Sequence, residues 1–354
     1  MKRILVIATG GTIASLPAED GGALVPALGG DELVRRVPLI EDLCRIDVVQ
    51  PMNIDSTNMR PSGWLAIAAE IERAYDEYDG FVVLHGTDTM AYTAAALSYL
   101  IQGSRKPIVL TGSQQPMAAP FTDAKLNLYQ SLLWACDDHA HDVHVVFDGK
   151  VIVGTRAHKQ RTMSFNAFTS VNYPLPAVIR NDRIVRDSAM GMSITGIPVA
   201  TAGHADLDAG EKDLPRPKTY SSLNERVIVL KLTPGLTPEV FALLKPHYDA
   251  VILETFGIGG VPEYEGASFE RAIFDWVDSG RSIVMTTQVS EEGLDLGVYE
   301  VGRAYAQHRG ILRGDDMTTE ALVAKTMWAL GQTSDPDELS ELFYTPINHD
   351  RAPR

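Results

Sequence analysis

Three short stretches place hydroxyl side chains directly after glycine: Thr9-Gly10-Gly11-Thr12, His85-Gly86-Thr87-Asp88 and Thr111-Gly112-Ser113. A threonine hydroxyl becomes a nucleophile when a neighbour removes its proton. Thr12 and Thr87 each follow a glycine and are the candidates. Asp88 could hold a substrate ammonium or orient a base. A desolvated lysine could be that base, and the residue pattern alone leaves open which one. Glycine lets backbone approach a ligand closely, and amides at a helix start attract a carboxylate or a developing oxyanion. The plainer alternative is that Thr87 and Asp88 cap a helix and Gly10-Gly11 is an ordinary turn.

All three stretches lie where an apolar run stops. Residues 4–8, 81–84, 108–110 and 143–147 read as buried strands, near-continuous in apolar character as a parallel sheet covered on both faces requires. Helices read at 62–78, 89–101 and 122–137. In open α/β sheets ligands sit beyond the carboxyl ends of the strands, so three such tips form one pocket if their strands are neighbours. Residues 190–225 turn rich in Gly, Pro, Asp and Ser. Strands then recur at 227–232, 250–254 and 282–286, with helical segments at 237–245, 268–279, 317–331 and 335–343. The expected fold is α/β: a larger N-terminal doubly wound, mostly parallel sheet domain (1–195), a linker (196–225) and a smaller C-terminal α/β domain (226–354).

Composition narrows the function. The 354 residues are 45% hydrophobic, enough for one large core or two ordinary ones. No stretch approaches the roughly 18 uninterrupted apolar residues of a membrane span. The basic, apolar start (MKRILVIATGG) enters a glycine turn without a small-residue cleavage site, so it reads as a first strand, and a cytoplasmic location is expected. A formal charge of −15 argues against nucleic acid. Cys44 and Cys136 are too few for a structural zinc site. The fingerprints GxGxxG, GxxxxGK[ST], GxSxG and HExxH are missing. The run DDHAHDVH at 137–144 could ligate a metal, but reads as a solvated loop, and no metal is expected.

Taken together, TGGTIAS, HGTDTMAYTA and LTGSQQP resemble the bacterial L-asparaginase family, most of all its intracellular type I branch. DSTNM at 55–59, TRAHKQRTMSFNAF and GIGGVP extend the resemblance along nearly the whole chain. The resemblance implies cofactor-free hydrolysis of L-asparagine to aspartate and ammonia by a homodimer or homotetramer. Thr12 then resembles the nucleophile that forms the acyl-enzyme. Thr87, Asp88 and Lys159 resemble a second triad, with Lys159 as base. Ser56 would bind the α-carboxylate, with Thr57 beside it and Asp55 just before. Gly11 and Gly86 would let the backbone close on the substrate, and Ser113 would border its amide end.

The chain also departs from that pattern. The loop after Thr12 lacks the tyrosine that usually helps activate the nucleophile; no tyrosine precedes Tyr75. Tyr299 of a partner subunit is expected to serve instead, or simply to pack at an interface. Val289 stands where some type I relatives carry a cysteine linked to allostery, so allostery is not carried over. GIGGVP lacks the asparagine of the commoner GxGNxP. A catalytically silent amino-acid-binding protein on the same fold is the alternative reading, and the asparaginase-like subunit of a tRNA-dependent amidotransferase is a third.

Overall fold

In the computed structural model the described residues are 1–17, 24–26, 32, 35, 37, 40–186, 216–297, 305 and 308–352. The first sheet has eight strands: β1 (Arg3–Ala8), β2 (Arg45–Val49), β3 (Gly80–Leu84), β4 (Ile108–Thr111), β5 (Val143–Phe147), β6 (Lys150–Val153), then β9 (Ala177–Arg180) and β10 (Arg183–Val185). Two short strands between them, β7 (Ala157–Lys159) and β8 (Phe168–Ser170), pair with each other off the main sheet. The spatial order is β10-β9-β6-β5-β4-β3-β1-β2. The pairings from β2 to β5 are parallel and the remaining three are antiparallel.

The central strands are apolar and almost fully buried: Ile4, Val6, Val82, Leu84, Val109 and Leu110 expose 0% of their surface. Helices α1 (Pro61–Ala74), α2 (Met90–Leu100) and α3 (Ala124–Ala135) pack against the sheet. Proline at the first position of α1 presets the helical φ where no amide is needed. Truncating a central leucine or isoleucine here would cost about 2–5 kcal/mol.

The second sheet is all parallel: β11 (Val227–Lys231), β12 (Ala250–Thr255), β13 (Ser282–Thr287) and β14 (Ile311–Arg313). Its helices are α4 (Val240–Leu244), α5 (Phe269–Asp278), α6 (Thr319–Gln332) and α7 (Pro336–Tyr344). Helix α6 lies against α2, with Trp328 stacked on Tyr99 at 6.0 Å. That explains α2: an alanine-rich helix buried on nearly every face, because it is sandwiched between the first sheet and the second domain.

Several sequence expectations need correction. The helix expected over 62–78 ends at Ala74. Strand β2 escaped notice because, at the sheet edge, it alternates polar and apolar residues instead of forming an apolar run. The antiparallel extension β6-β9-β10 and the three-residue β14 were also missed, being too short to stand out. Part of the expected linker is built into the first domain: Lys218–Thr219 pairs with Ile101–Gln102, and Tyr220 donates its amide to Leu100. Residues 187–215, which include the earlier part of the expected linker (196–215), lie outside the described residues, as does Tyr299.

Candidate active site

The register brings the three glycine-bearing tips level. Ala8 pairs with Leu84, and Leu84 with Thr111. The ladder continues one residue further, with the Thr9 amide on the Leu84 carbonyl (3.0 Å) and the His85 amide on the Thr111 carbonyl (2.8 Å). From β1 the chain first adds β2 on one side and then β3 on the other. The crevice opened by that reversal is where α/β sheets bind ligands, and it lies between the tips carrying Thr12 and Thr87.

Small residues let the tips bordering this crevice approach one another closely. Gly10 pairs with Ile54, and Ile54 donates to Thr9 (2.9 Å) while Gly11 donates to Ile54 (3.0 Å). The Asp55-Ser56-Thr57 turn is thereby drawn onto the Gly11 tip. A Cβ on Gly11, which sits at φ +82°, would lie 2.4 Å from Gly86 Cα; one on Gly86 would lie 2.5 Å from Ser56 Oγ. Gly11, Gly86 and Ser56 thus form a three-way contact that any larger residue would break. Thr12 follows it and opens a one-turn 3-10 helix, whose Ile13 carbonyl accepts from the Met117 amide in the loop after Ser113.

Lys159 emerges from β7 with its side chain 15% exposed. Its Nζ donates to Thr87 Oγ1 at 2.8 Å and to Asp88 Oδ1 at 2.6 Å. Thr87 and Asp88 therefore do not cap the following helix. The N-cap of α2 is Thr89, and its hydroxyl goes to the Ser56 carbonyl (2.8 Å), leaving the helix start without a side-chain cap. Asp55 caps its own turn, accepting from the Thr57 amide and hydroxyl, both at 2.8 Å. Ser56 is 4% exposed. Ser113 is buried and donates its hydroxyl to the Gln115 carbonyl (2.5 Å).

Sequence reasoning passed over Gln114, although LTGSQQP contains it. Its Nε2 donates to the Thr162 and Ser164 carbonyls at 3.0 and 3.3 Å. Its Oε1 therefore faces Thr87 and accepts that hydroxyl at 3.1 Å. Thr87 thus donates to Gln114 and accepts from Lys159, and its second lone pair is left for a ligand. Asp123 fixes the loop beneath, accepting both the Gln114 amide (2.9 Å) and the Gln115 amide (3.0 Å). His85 is a support: fully buried, it bonds the Gly86 carbonyl (2.7 Å) and Thr93 Oγ1 (2.9 Å). Burial pushes its pKa down to about 4, so it stays neutral. Among the described residues, no group of three or more His, Cys, Asp or Glu could hold a metal ion, and no helix is long and apolar enough to cross a membrane.

Comparison with known proteins agrees along the chain. Residues 3–189 match the family described as Asparaginase, N-terminal, and residues 226–343 the Glutaminase/Asparaginase C-terminal domain. An L-asparaginase of Thermococcus kodakarensis is 36% identical over 342 residues, covering 96% of each chain. A glutamyl-tRNA(Gln) amidotransferase component from Metallosphaera sedula is 34% identical over 362 residues, covering 99% of this chain and 77% of the relative. The structure of the thermostable L-asparaginase from Thermococcus kodakarensis superposes with a TM-score of 0.85 at 35% identity, over 99% of this chain and 100% of that one.

Proposed function

The chain belongs to the asparaginase family, and from that premise we propose that it hydrolyses L-asparagine to L-aspartate and ammonia through a threonine acyl-enzyme. The observation that carries this reading is the pair of bonds from Lys159 Nζ to Thr87 Oγ1 and Asp88 Oδ1, made beside the Gly11–Gly86 contact. Asparagine presents an ammonium, a carboxylate and a scissile amide. Asp88 holds the ammonium and Ser56 the carboxylate, with Asp55 fixing the Ser56–Thr57 turn. Thr12 Oγ attacks the amide carbon. The C–N bond breaks, ammonia leaves with the hydroxyl proton, and an ester remains on Thr12. Water held on the free lone pair of Thr87 attacks that ester with Lys159 as the base. Aspartate departs and the hydroxyl is restored. Gly11 and Gly86 admit the substrate's backbone, and Ser113 borders its amide end. Tyr299 of a partner subunit assists Thr12, which places the working enzyme as a homodimer or homotetramer of the type I branch, in the cytoplasm.

Ammonia release from L-Asn, D-Asn and L-Gln by wild type and Thr12→Ala tests this reading. Turnover of L-Asn that is lost in Thr12→Ala is expected. Full activity in Thr12→Ala would remove the nucleophile assignment. Wild-type binding of aspartate without turnover would instead favour a silent amino-acid-binding protein. A second reading, a component of a tRNA-dependent amidotransferase, is supported by the 34% identity to the Metallosphaera sedula protein. Steady turnover of free asparagine by the chain alone separates the two. Tyr299→Phe with unchanged turnover and intact assembly would reject the partner tyrosine.

A further inference from the structure

The hairpin that carries Lys159 is anchored from behind by the second domain. Thr155 Oγ1 donates to the Asn348 carbonyl (2.6 Å), and Thr318 Oγ1 donates back to the Thr155 carbonyl (3.1 Å). Arg156, fully buried, donates Nε to the His349 carbonyl (2.6 Å) and Nη1 to the Asp316 carboxylate (3.0 Å). His158 completes the series, with Nδ1 at 2.8 Å from Glu320 Oε1. Successive strand residues face opposite ways. With Lys159 turned toward Thr87 and Asp88, His158 is turned to the first turn of α6, where Glu320 sits. Glu320 is 6% exposed, and its other oxygen, Oε2, is buried without a hydrogen-bond partner. That carboxylate therefore depends on the bond from His158.

We propose that His158 is a positioning residue for the hydrolysis assigned to this site: paired with Glu320, it fixes the strand Ala157–Lys159 so that Lys159 Nζ reaches Thr87 and Asp88 together. The inference rests on the amidohydrolase reading above. The strand is three residues long and its ladder partner is the equally short Phe168–Ser170, so of the bonds that tie this hairpin to the second domain, the one from His158 lies nearest to Lys159. Displacing a reacting group by about 1 Å can cost on the order of 100-fold in rate.

The pairing carries a pH dependence. Nδ1–H donates to Glu320 whether the ring is neutral or protonated, but the protonated form makes a charge-assisted bond about twice as strong. The Glu320 carboxylate raises the His158 pKa above the ordinary histidine value. The stronger bond is present at low pH and fades as pH rises through that raised value. The other groups around the pair leave this sign unchanged. Tyr92 on α2, beyond Glu320, is pushed up to about 12 by burial and is neutral over the working range. Glu254 at the end of β12 accepts from Thr319 (2.8 Å), and Lys159 is bound on the opposite face.

The test is kcat and KM for asparagine, from about pH 5.5 to about pH 9, in wild type, His158→Gln, Glu320→Gln and the double variant. Glutamine can still donate to Glu320 but cannot take up a proton. Each single variant is expected to lower kcat about three- to tenfold at the acid end, the range of one charge-assisted hydrogen bond, with KM within about twofold. The ratio of wild-type to His158→Gln kcat should shrink as pH rises, and the double variant should be no worse than the singles. A ratio flat across pH, or a loss confined to KM, overturns the inference while leaving the amidohydrolase reading standing. A wild type without turnover overturns both.

Discussion

Two polar regions of this molecule look alike by residue type and behave differently. The strand tips and the hairpin beside them bring Ser56, Thr87, Asp88 and Lys159 together next to Thr12, with one lone pair of Thr87 left unused. The joint between the domains collects Lys325, Asp350, Tyr99, Arg156 and Arg351 with no outlet to solvent. Lys325 and Asp350 are each fully buried and bonded at 2.5 Å; Lys325 also donates to the Thr345 carbonyl (2.7 Å) and Tyr99 to Asp350 (3.1 Å). Burial lowers the Lys325 pKa to about 8 in spite of its partner. A polar cluster sealed from solvent holds domains together, even with Arg156 Nη2 and Arg351 Nε unpartnered, while one that leaves a lone pair facing a crevice can bind and react. Residue inventory alone does not separate the two.

The sharpest break of that contrast is at the tips. Thr12→Ala should lower asparagine turnover by about 10³-fold or more, read as ammonia release, with the unfolding midpoint nearly unchanged. At the joint the signs reverse. Lys325→Met strands a buried carboxylate and should cost about 3–5 kcal/mol in denaturant unfolding, and Lys325→Met with Asp350→Asn should recover much of that loss. A joint that tolerated Lys325→Met would not be holding the domains together.

Gly86→Ala probes the border between the two behaviours. Its Cβ would meet Ser56 at 2.5 Å and 2.7 Å, so the Ser56 turn must shift. Binding of aspartate, followed by calorimetry, should weaken by at least about tenfold, with a stability loss of about 1–3 kcal/mol from overpacking. Equal affinity in the variant would mean that the Ser56 contact is not part of the pocket.

The smallest effect is on the acid side. His144 is buried on β5 with Nδ1 unpartnered, and its pKa is lowered to about 3, as that of His85 is to about 4. Both folded values lie below the ordinary 6.5. The stability they allow is full above that value and is lost as pH falls toward 4 and then 3, because the unfolded chain takes up protons the folded one refuses. Each group contributes a slope of up to about 1.4 kcal/mol per pH unit in that window. His144→Phe should make the fall in unfolding free energy between pH 6.5 and pH 5 shallower by about that slope. An unchanged slope would mean that His144 does not titrate with unfolding.

How much could be read in advance follows the same division. The tips were legible because each is a contiguous motif at the end of an apolar run, and local chemistry is written in local sequence. Gln114 stood inside a recognisable motif but went unassigned, because its role depends on the Thr162 and Ser164 carbonyls nearly fifty residues away. Thr87 and Asp88 could be read as helix caps until Lys159, 71 residues beyond Asp88, was seen to take both side chains. The edge strand Arg45–Val49 was missed because exposure erases the continuous apolar signal that betrays its neighbours.

By itself the sequence determined the two α/β units, the buried central strands and the glycine tips, since burial and backbone freedom are properties of residues and their immediate spacing. The residue pattern left open which lysine meets Thr87, and only the family resemblance pointed to Lys159; tertiary structure alone decided which glutamine turns its hydroxyl and which histidine backs the strand between them. Those choices depend on strand order and on distances between residues far apart in the chain, and a one-dimensional pattern carries neither.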